Sequence, residues 1–431
     1  MATSYDDTFA PQPLTIAVCG AGIAGFATAT ALRKQGHIVE IFEASSFSRE
    51  FGAAVGVPPN ATLVLKHLGF DRERTKAVDY FGSLSRPSNG TVEPFHAFAR
   101  PSQETWGNQW LMIHRVDLHN ELRRLATGPD GKGRPAKLHL SSPVASVDAD
   151  KGIVHFQSGE TRHFDLVVGS DGIYSKSRAG VIGKPVEAPI ASVPTAAFRW
   201  VVPASYAEGD PDLEWIMKDG VQGGRVTVSK EGHFLLCYPV RNKTLINNIA
   251  IFWDTRDQTK VGRNVASSKE ELLEVFKSYD PKYKKWMSKA EDVRIWQLRT
   301  MPLLETWTRG KTALVGDAAH AMFPTLGQGA AMCLEDSVVL AGLLPLGTLP
   351  SQVNERIRGY EQLRRKRGEF VARQAELQAT VPNMMGAYSS SFEMQDMLMH
   401  YNAPKEASDY YNKHFAHTEQ LQPSLWAKAR L

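Results

Sequence analysis

The sequence is poor in cysteine, and this absence limits both the compartment and the kind of site. Only Cys19, Cys237 and Cys333 occur in 431 residues, and none of them has metal-ligand or CxxC spacing. A sparse, odd-numbered set provides no disulfide framework. We therefore expect a cytoplasmic protein in a reducing compartment, without a metal site.

The sequence also lacks a large excess of charge of either sign. It has 50 Lys and Arg against 46 Asp and Glu, a formal net charge of +4. Its one basic cluster, residues 364–367, lies inside a helical pattern. We interpret this cluster as a solvated helix face and expect no nucleic-acid partner.

A membrane-spanning segment is not expected either. Residues 14–32 are nearly uncharged, but glycines at nucleotide-binding spacing interrupt them. The preceding residues carry Asp6 and Asp7 instead of the basic start of a secretory signal. With 42% hydrophobic residues, a chain of this length is expected to be globular and to contain more than one structural unit.

The most informative segment is a βαβ pattern near the N-terminus. A β-branched strand over 14–19 leads into GAGIAG at 20–25, a helix to Gln35 and a second strand ending at Glu43. In such a unit the first glycine makes the tight turn, the second lets the backbone approach phosphate, and the third lets helix pack on strand. The helix N-terminus then faces the pyrophosphate, and the acid binds ribose hydroxyls.

Two further acids follow apolar strands, at the sheet edge where ligands bind in open α/β folds. Asp171 follows residues 164–169, and Asp317 follows residues 312–315. Taken alone, Asp171 is more readily explained as a helix cap. After Asp317, small residues at 327 and 329–331 allow a flat ring to lie against the backbone.

The pattern changes near residue 189, where helices give way to strands with Gly-, Asp- and Lys-bearing turns. Strands are predicted over 194–202, 212–218, 224–229, 232–240 and 245–253. The fold class is therefore α/β, a Rossmann-like nucleotide-binding domain with an inserted, mainly antiparallel sheet and a helical C-terminal region. The expected boundaries are 1–188 for the first nucleotide-binding part, with 78–112 contributing to the side of the inserted sheet, then 189–291 for the inserted sheet, 292–350 for the second nucleotide-binding part and 351–431 for the helical region.

Four motifs together resemble one enzyme family. They are GAGIAG at 20–25, HRVDLHNEL at 114–122, GSDG at 169–172 and GDAAHAMFPTLGQGAAMCLED at 316–336. Over roughly residues 14–375 the chain resembles the single-component, group A FAD-dependent aromatic hydroxylases. Within them it is most similar to the salicylate hydroxylase-like branch common in fungal secondary metabolism.

The resemblance implies a set of FAD-binding residues. Glu43 would bind the adenosine ribose, Arg115 the pyrophosphate or ribityl region, and Asp317 the ribityl chain or pyrophosphate, while Asp171 would serve both FAD and the incoming NAD(P)H. The full implied set is Gly20, Gly22, Ile23, Ala24, Gly25, Glu43, Gly56, Arg115, Asp171, Asp317, Gly329 and Ala330. No second GxGxxG follows a strand, so NADH or NADPH is expected to dock transiently.

The resemblance also implies two residues near the substrate, Arg199 and Tyr238. By strand alternation Arg199 lies opposite Phe198 and Trp200, on a solvated face or in a polar spot of a pocket. A buried tyrosine such as Tyr238 is also a common core feature. Some relatives have a histidine four residues before the tyrosine, where this chain has Phe234.

The implied reaction is hydroxylation of a phenolic or carboxylated aromatic molecule with O₂, through a flavin C4a-hydroperoxide. Arg199 would hold a substrate anion and Tyr238 would hydrogen-bond the substrate oxygen. The alternatives are an FAD-dependent reductase or dehydrogenase without oxygen insertion, and an epoxidase of a prenylated aromatic. His320 is interpreted as a core histidine, and a monomer or homodimer is expected.

Overall fold

The computed structural model describes residues 11–47, 53–90, 101–186, 194–217, 223–256, 264–380 and 391–416. The strands are β1 Thr15–Cys19, β2 Ile38–Phe42, β3 Ala54–Val57, β4 Val78–Asp79, β5 Ser83–Pro87, β6 Leu111–His114, β7 Lys137–His139, β8 Val144–Asp148, β9 Ile153–Phe156, β10 Thr161–His163, β11 Leu166–Gly169, β12 Thr195–Pro203, β13 Gly224–Val228, β14 Phe234–Val240, β15 Leu245–Trp253, β16 Asn264–Ala266, β17 Arg294–Gln297, β18 Thr308–Arg309 and β19 Thr312–Leu314.

The helices are α1 Ile23–Gln35, α2 Pro59–Leu68, α3 Ser102–Trp106, α4 Arg115–Thr127, α5 Ser177–Ile182, α6 Lys269–Val275, α7 Pro281–Met287, α8 Asp317–His320, α9 Gly329–Gly342, α10 Val353–Thr380, α11 Phe392–Met399 and α12 Ala403–His414.

A six-stranded sheet in the order β18-β19-β11-β1-β2-β7 forms the centre of the nucleotide-binding part. All its pairings are parallel except that of β18 with β19. Residues 166–169 of β11 are buried throughout, which agrees with their uninterrupted apolar run. Since the strands are parallel, their carboxyl ends meet at one edge, and the turns after β1, β11 and β19 lie side by side.

A seven-stranded sheet in the order β16-β17-β12-β15-β14-β13-β5 lies beside it. Its pairings are antiparallel except that of β5 with β13. Phe198 and Trp200 point to the face covered by α6 and α7, where they pack with Phe276 and Trp286. The opposite face, which includes Arg199, is turned toward the rest of the molecule, where Ala197 joins the core of the nucleotide-binding part.

Two three-stranded sheets complete the strand arrangement, one in the order β3-β6-β4 and one in the order β10-β9-β8. The first connects the two large sheets, because the backbone N–H of Ala54 donates to Asn247 Oδ1 of β15 at 3.0 Å. Ala54 and Met112 of this small sheet also pack against Tyr238 of β14.

The C-terminal helices α10 and α12 contact α9, and α10 does so through a buried ion-pair cluster. Arg364 lies 2.6 Å from Glu335 and 2.9 Å from Asp336, and all three side chains are fully buried. Arg367 pairs with Glu335 at 2.9 Å. The interpretation of residues 364–367 as a solvated helix face is therefore wrong for Arg364 and Arg367, whose acidic partners lie on a different helix.

The structure confirms the α/β fold class with its inserted, mainly antiparallel sheet and helical C-terminal region. The strand predicted over 212–218 is wrong, because Glu214–Ile216 form a 3-10 turn. Asp210 accepts a hydrogen bond from the Asp212 backbone at 3.1 Å, a local bond that favours a turn. Among the described residues, no helix is long and apolar enough to cross a membrane, and no cluster of potential metal ligands occurs.

Candidate active site

The GAGIAG turn leaves the start of α1 open. α1 begins without a capping side chain, and its first turn contains no acidic residue. A Cβ at Gly25 would lie 1.9 Å from the Gly20 carbonyl oxygen, so this position packs too closely for a side chain. A Cβ at Gly22 would meet nothing within 4 Å. Gly22, Ile23 and Ala24 therefore present backbone at a helix N-terminus, where phosphate binds favourably.

Glu43 lies beside this turn at the end of β2. Its carboxylate accepts hydrogen bonds from the Ala21 backbone at 2.9 Å and from the Ser45 backbone at 2.8 Å. Each carboxylate oxygen has a second lone pair, so both can also accept from ribose hydroxyls. The two backbone bonds fix the side chain at the edge where an adenosine ribose would lie.

Asp171 and Asp317 lie in turns that Arg178 holds together. Arg178 is buried and donates to the carbonyl oxygens of Gly172 at 3.1 Å, Asp317 at 3.1 Å and Ala318 at 2.8 Å. The sequence reasoning missed this arginine, which lies on a short helix outside the recognised motifs. Its position seven residues after Asp171 was the only signal.

The two acids differ in what their carboxylates contact. Asp171 Oδ2 accepts from the Lys176 and Ser177 backbones at 2.7 and 3.0 Å, so this carboxylate caps the start of α5. Asp317 is exposed in the cleft whose two ends are the starts of α1 and α9. Its carboxylate has no hydrogen-bond partner among the described residues. Surrounding protein nevertheless limits its hydration and raises the pKa of Asp317, against the lowering effect of His320, Arg115 and Arg178. Asp317 is thus the carboxylate that is free to contact a ligand.

Gly56 and the start of α9 form the other end of the cleft. α9 begins at Gly329 without a capping side chain, and a Cβ at Gly329 would meet nothing within 4 Å. β3, which contains Gly56, contacts α9. A Cβ at Gly56 would lie 3.6 Å from Trp110 Nε1, a buried donor without a partner among the described residues. Gly56, Gly329 and Ala330 therefore leave room for a flat ring.

The structure places Arg199 and Tyr238 on one face of the seven-stranded sheet. Arg199 and Leu236 both pair with Ile249 of β15, and Tyr238 lies two residues after Leu236. Directly opposed residues share a face, as do residues two apart on a strand. Arg199 is half-buried over the Trp296 ring, 5.5 Å from its centroid, and its Nε has no partner among the described residues.

Burial changes the ionisation of both side chains. It lowers the pKa of Arg199, with Arg115 acting in the same direction and Tyr238 opposing it. Arginine nevertheless stays charged at working pH. Burial raises the pKa of Tyr238, which keeps its phenol neutral. The face therefore offers a fixed cation beside a neutral hydroxyl donor.

Arg115 links this face to the nucleotide-binding edge. It is exposed at the start of α4, and its guanidinium forms no hydrogen bond or ion pair with another described residue. Its charge acts on both Asp317 and Arg199. A cofactor at Asp317 and an anion at Arg199 would therefore share one cation.

Neither His233, which precedes Phe234, nor His320 lies free in this cleft. His233 packs against Phe276 at a centroid distance of 5.3 Å, on the sheet face opposite Tyr238. His320 is buried, and its Nε2 lies 2.6 Å from Asp336 Oδ2. Tyr80, which the sequence reasoning did not select, lies near Tyr238, and its hydroxyl is 2.5 Å from Ser83 Oγ.

The cleft fits FAD on this geometry. Two long helices, α1 and α9, begin without capping side chains, and the glycines at their starts leave open space. Pyrophosphate suits the first helix start, and the second can accommodate the flavin ring. Arg115 and the unpartnered carboxylate of Asp317 provide polar groups between them.

Comparison with known proteins agrees with this fit. Residues 14–375 match the family described as FAD binding domain. Hispidin-3-hydroxylase of Neonothopanus nambi is 40% identical over 404 residues, which cover 91% of this chain and 95% of that protein. The FAD-dependent monooxygenase cfoG of Aspergillus candidus is 34% identical over 366 residues, 83% of each chain. The structure of a salicylate hydroxylase substrate complex matches with a TM-score of 0.73 at 24% identity, covering 92% of this chain and 98% of that one.

The fold and these relatives define an FAD-dependent monooxygenase of the aromatic hydroxylase type. The chain belongs to the FAD binding domain family, and FAD is its cofactor.

Proposed function

We propose that this enzyme hydroxylates a phenolic or carboxylated aromatic molecule, using O₂ and electrons from NADH or NADPH. The observation that carries the proposal is that Arg199 and Tyr238 share one face of the seven-stranded sheet. The charge of Arg115 acts both on Arg199 of this face and on Asp317 of the nucleotide-binding edge. An anionic aromatic ring fits a cation, a hydroxyl donor and apolar neighbours.

When bound and reduced, FAD would react with O₂ and supply an electrophilic oxygen atom for the aromatic ring. The protein's part is to place and shield the substrate. Arg199 binds a carboxylate or phenolate, because its charge persists at working pH. Its buried neighbours exclude water, which strengthens this attraction.

Tyr238 orients the ring by donating a hydrogen bond from its hydroxyl to a substrate oxygen. Its raised pKa keeps that proton on Tyr238 Oη near neutral pH, so the residue acts as a donor and not as a base. Tyr80, whose pKa burial raises to about 12, is likewise a neutral hydroxyl beside it. Both hydroxyls can therefore orient a phenol without removing its proton.

The proposed binding residues for FAD are those of the cleft described above. Gly22, Ile23 and Ala24 hold the pyrophosphate with Arg115, Glu43 holds the ribose, and Gly56, Gly329 and Ala330 contact the ring. The proposed organisation has FAD-binding parts at 1–188 and 292–350, a substrate sheet at 189–291 and a helical region at 351–431. Strands β12 to β16 of the seven-stranded sheet support this substrate part, and β5 and β17 join the same sheet from outside it.

The experiment is a panel of phenolic acids, with hispidin included because a 40% identical relative is named for it. NADH and NADPH oxidation is followed with and without each compound, and the molecular masses of the products are determined by mass spectrometry. We expect faster oxidation with at least one aromatic compound and a product heavier by one oxygen. Oxidation that no panel member accelerates would contradict the proposal.

Two variants test the assigned face. Arg199→Ala is expected to keep bound FAD and to raise KM for a carboxylated substrate at least about tenfold. Tyr238→Phe is expected to keep FAD and lose most product. Tyr279→Phe is the matched control, because its hydroxyl contacts Thr227 and His233 carbonyl oxygens in the core behind the sheet. Full coupled turnover in the first two variants would remove both residues from the site.

A further inference from the structure

A cavity of about 340 Å³ lies at the far end of α1, away from the GAGIAG turn. α1 has 13 residues and is therefore about 20 Å long from end to end. The cavity volume is within the range of small-molecule sites. α2, α9 and α12 also contribute walls, so the cavity lies between the two cofactor-facing helices and the C-terminal region.

The polar lining of this cavity is cationic or neutral. Lys34, Lys132 and His67 contribute to it, and none of the described lining residues is acidic. The nearby acid Asp130 is directed to Arg124, at 3.8 Å. Buried apolar side chains, including Leu68 and Val338, form part of the wall, and Gln35, Ser408 and Tyr411 add neutral polar groups. A cationic rim above an apolar floor matches an anion with a hydrophobic body.

The fold positions the backbone that carries Lys132 and the side chain of Lys34. Arg33 donates to the carbonyl oxygens of Gly128 at 2.9 Å and Gly133 at 2.8 Å, which fixes the loop that carries Lys132. A Cβ at Gly133 would lie 1.8 Å from the Arg33 carbonyl oxygen, so this loop packs directly on the end of α1. Lys34 donates to the His67 carbonyl oxygen.

Lys34 shares this cavity with a second cation, Lys132. Burial and the charge of Lys132 lower the pKa of Lys34, and burial and the charge of Lys34 lower the pKa of His67. Like charges that share a cavity repel each other, and an anion between them relieves that repulsion.

We propose that this cavity is a second ligand site, which binds an organic anion with an apolar body, such as an aryl phosphate or aryl carboxylate. The ligand's anionic group lies between Lys34 and Lys132, and its body lies on Leu68 and Val338. The site is separate from the Arg199 face, and a ligand there contacts the rear halves of both α1 and α9.

The test is calorimetric titration of the FAD-loaded enzyme with phenyl phosphate, phenylacetate, inorganic phosphate and benzyl alcohol. The double variant Lys34→Gln/Lys132→Gln is compared with Lys151→Gln/Lys277→Gln, which removes the same charge from two exposed lysines elsewhere. Arg199→Ala is titrated in parallel to separate this cavity from the substrate face.

We expect phenyl phosphate or phenylacetate to bind the wild-type and control proteins, and Lys34→Gln/Lys132→Gln to bind at least about tenfold more weakly. Raised salt should weaken the same binding, and Arg199→Ala should leave it unchanged. Which of the two anions binds tighter identifies the anionic group. The proposal would be overturned if inorganic phosphate or benzyl alcohol bound the wild-type protein as tightly as phenyl phosphate does. It would also be overturned if only Arg199→Ala lost affinity for the aryl anions. Absence of binding by any anion would also overturn it.

Discussion

Asn60, in the first turn of α2, connects the two sides of the proposed ring site by donating to Gln328 Oε1 at 3.1 Å. The same Nδ2 donates to Glu335 Oε1 at 2.7 Å, and all three residues are buried. Gln328 directly precedes Gly329 and α9, and Asn60 lies four residues after Gly56. The side chain of Asn60 therefore fixes the spacing between the chain segment that follows Gly56 of β3 and the start of α9.

Asn60→Ala should loosen this spacing and weaken FAD binding. A buried network that loses one member leaves its partners unsatisfied, at a cost of about 1–3 kcal/mol. We expect lower thermal stability and a several-fold higher dissociation constant for FAD, measured by quenching of flavin fluorescence. Asn354→Ala is the control, because among the described residues its Nδ2 donates only to the Gly310 carbonyl oxygen, outside the cleft. Equal effects of the two substitutions on FAD affinity would show that Asn60 has no special part in the site.

Gly22→Ala and Gly25→Ala should fail in different ways. A Cβ at Gly22 meets no protein atom within 4 Å, whereas one at Gly25 would lie 1.9 Å from the Gly20 carbonyl oxygen. Gly22→Ala should fold with near-normal stability without FAD and bind FAD at least about tenfold more weakly. Gly25→Ala should lower the melting temperature of the FAD-free protein.

The readouts for this pair are circular dichroism melting and FAD titration of each variant. Undiminished FAD affinity in Gly22→Ala would show that the pyrophosphate does not bind at this turn.

Arg364→Met should destabilise the protein strongly. The substitution leaves the buried carboxylates of Glu335 and Asp336 without their shared cation. Breaking a buried ion pair on one side costs about 3–5 kcal/mol. Denaturant unfolding should detect the loss, and Arg358→Met on the exposed side of α10 serves as the control. A change below 1 kcal/mol would mean that the cluster contributes little to the packing of α10 on α9.

The same cluster predicts how stability depends on pH. Burial alone would raise the pKa of both Glu335 and Asp336. The nearby cations outweigh this effect: Arg367 and Arg364 lower the pKa of Glu335, and His320 and Arg364 lower the pKa of Asp336. A carboxyl with a lowered pKa in the folded state stabilises it above the unfolded value and loses this contribution as pH falls. Stability should therefore decrease as pH falls below about 4.5, the ordinary glutamate value.

The Asp336→Asn variant checks this dependence. It should be less stable at neutral pH and should lose less stability on acidification. Parallel pH profiles for the variant and the wild type would contradict the role of Asp336.

The local motifs were predictable because they are contiguous. The GAGIAG turn, α2 ending before Gly69 and the buried strand β11 follow from neighbouring residues alone. The positions of Arg364 and Arg178 were not predictable, because their partners lie on elements distant in sequence. A run of arginines is ordinarily solvated, and only the tertiary approach of α9 buries Arg364.

The candidate site divides in the same way. Strand alternation places Arg199 on the face opposite Phe198, but it left open whether that face is solvated. The pairing of Arg199 and Leu236 with Ile249 brings Tyr238 to the same face, and this depends on strand register. Register over separations of tens of residues is not encoded in any one motif.

The central claim is that the enzyme inserts oxygen from O₂ into an aromatic ring held over Arg199 and Tyr238. The most direct measurement is turnover of an accepted phenolic substrate under ¹⁸O₂, with mass analysis of the product. We predict a product that carries one ¹⁸O atom, and loss of this labelled product in Arg199→Ala and Tyr238→Phe while both keep FAD. NAD(P)H oxidation with no label in any product would contradict the account and favour a reductase or dehydrogenase.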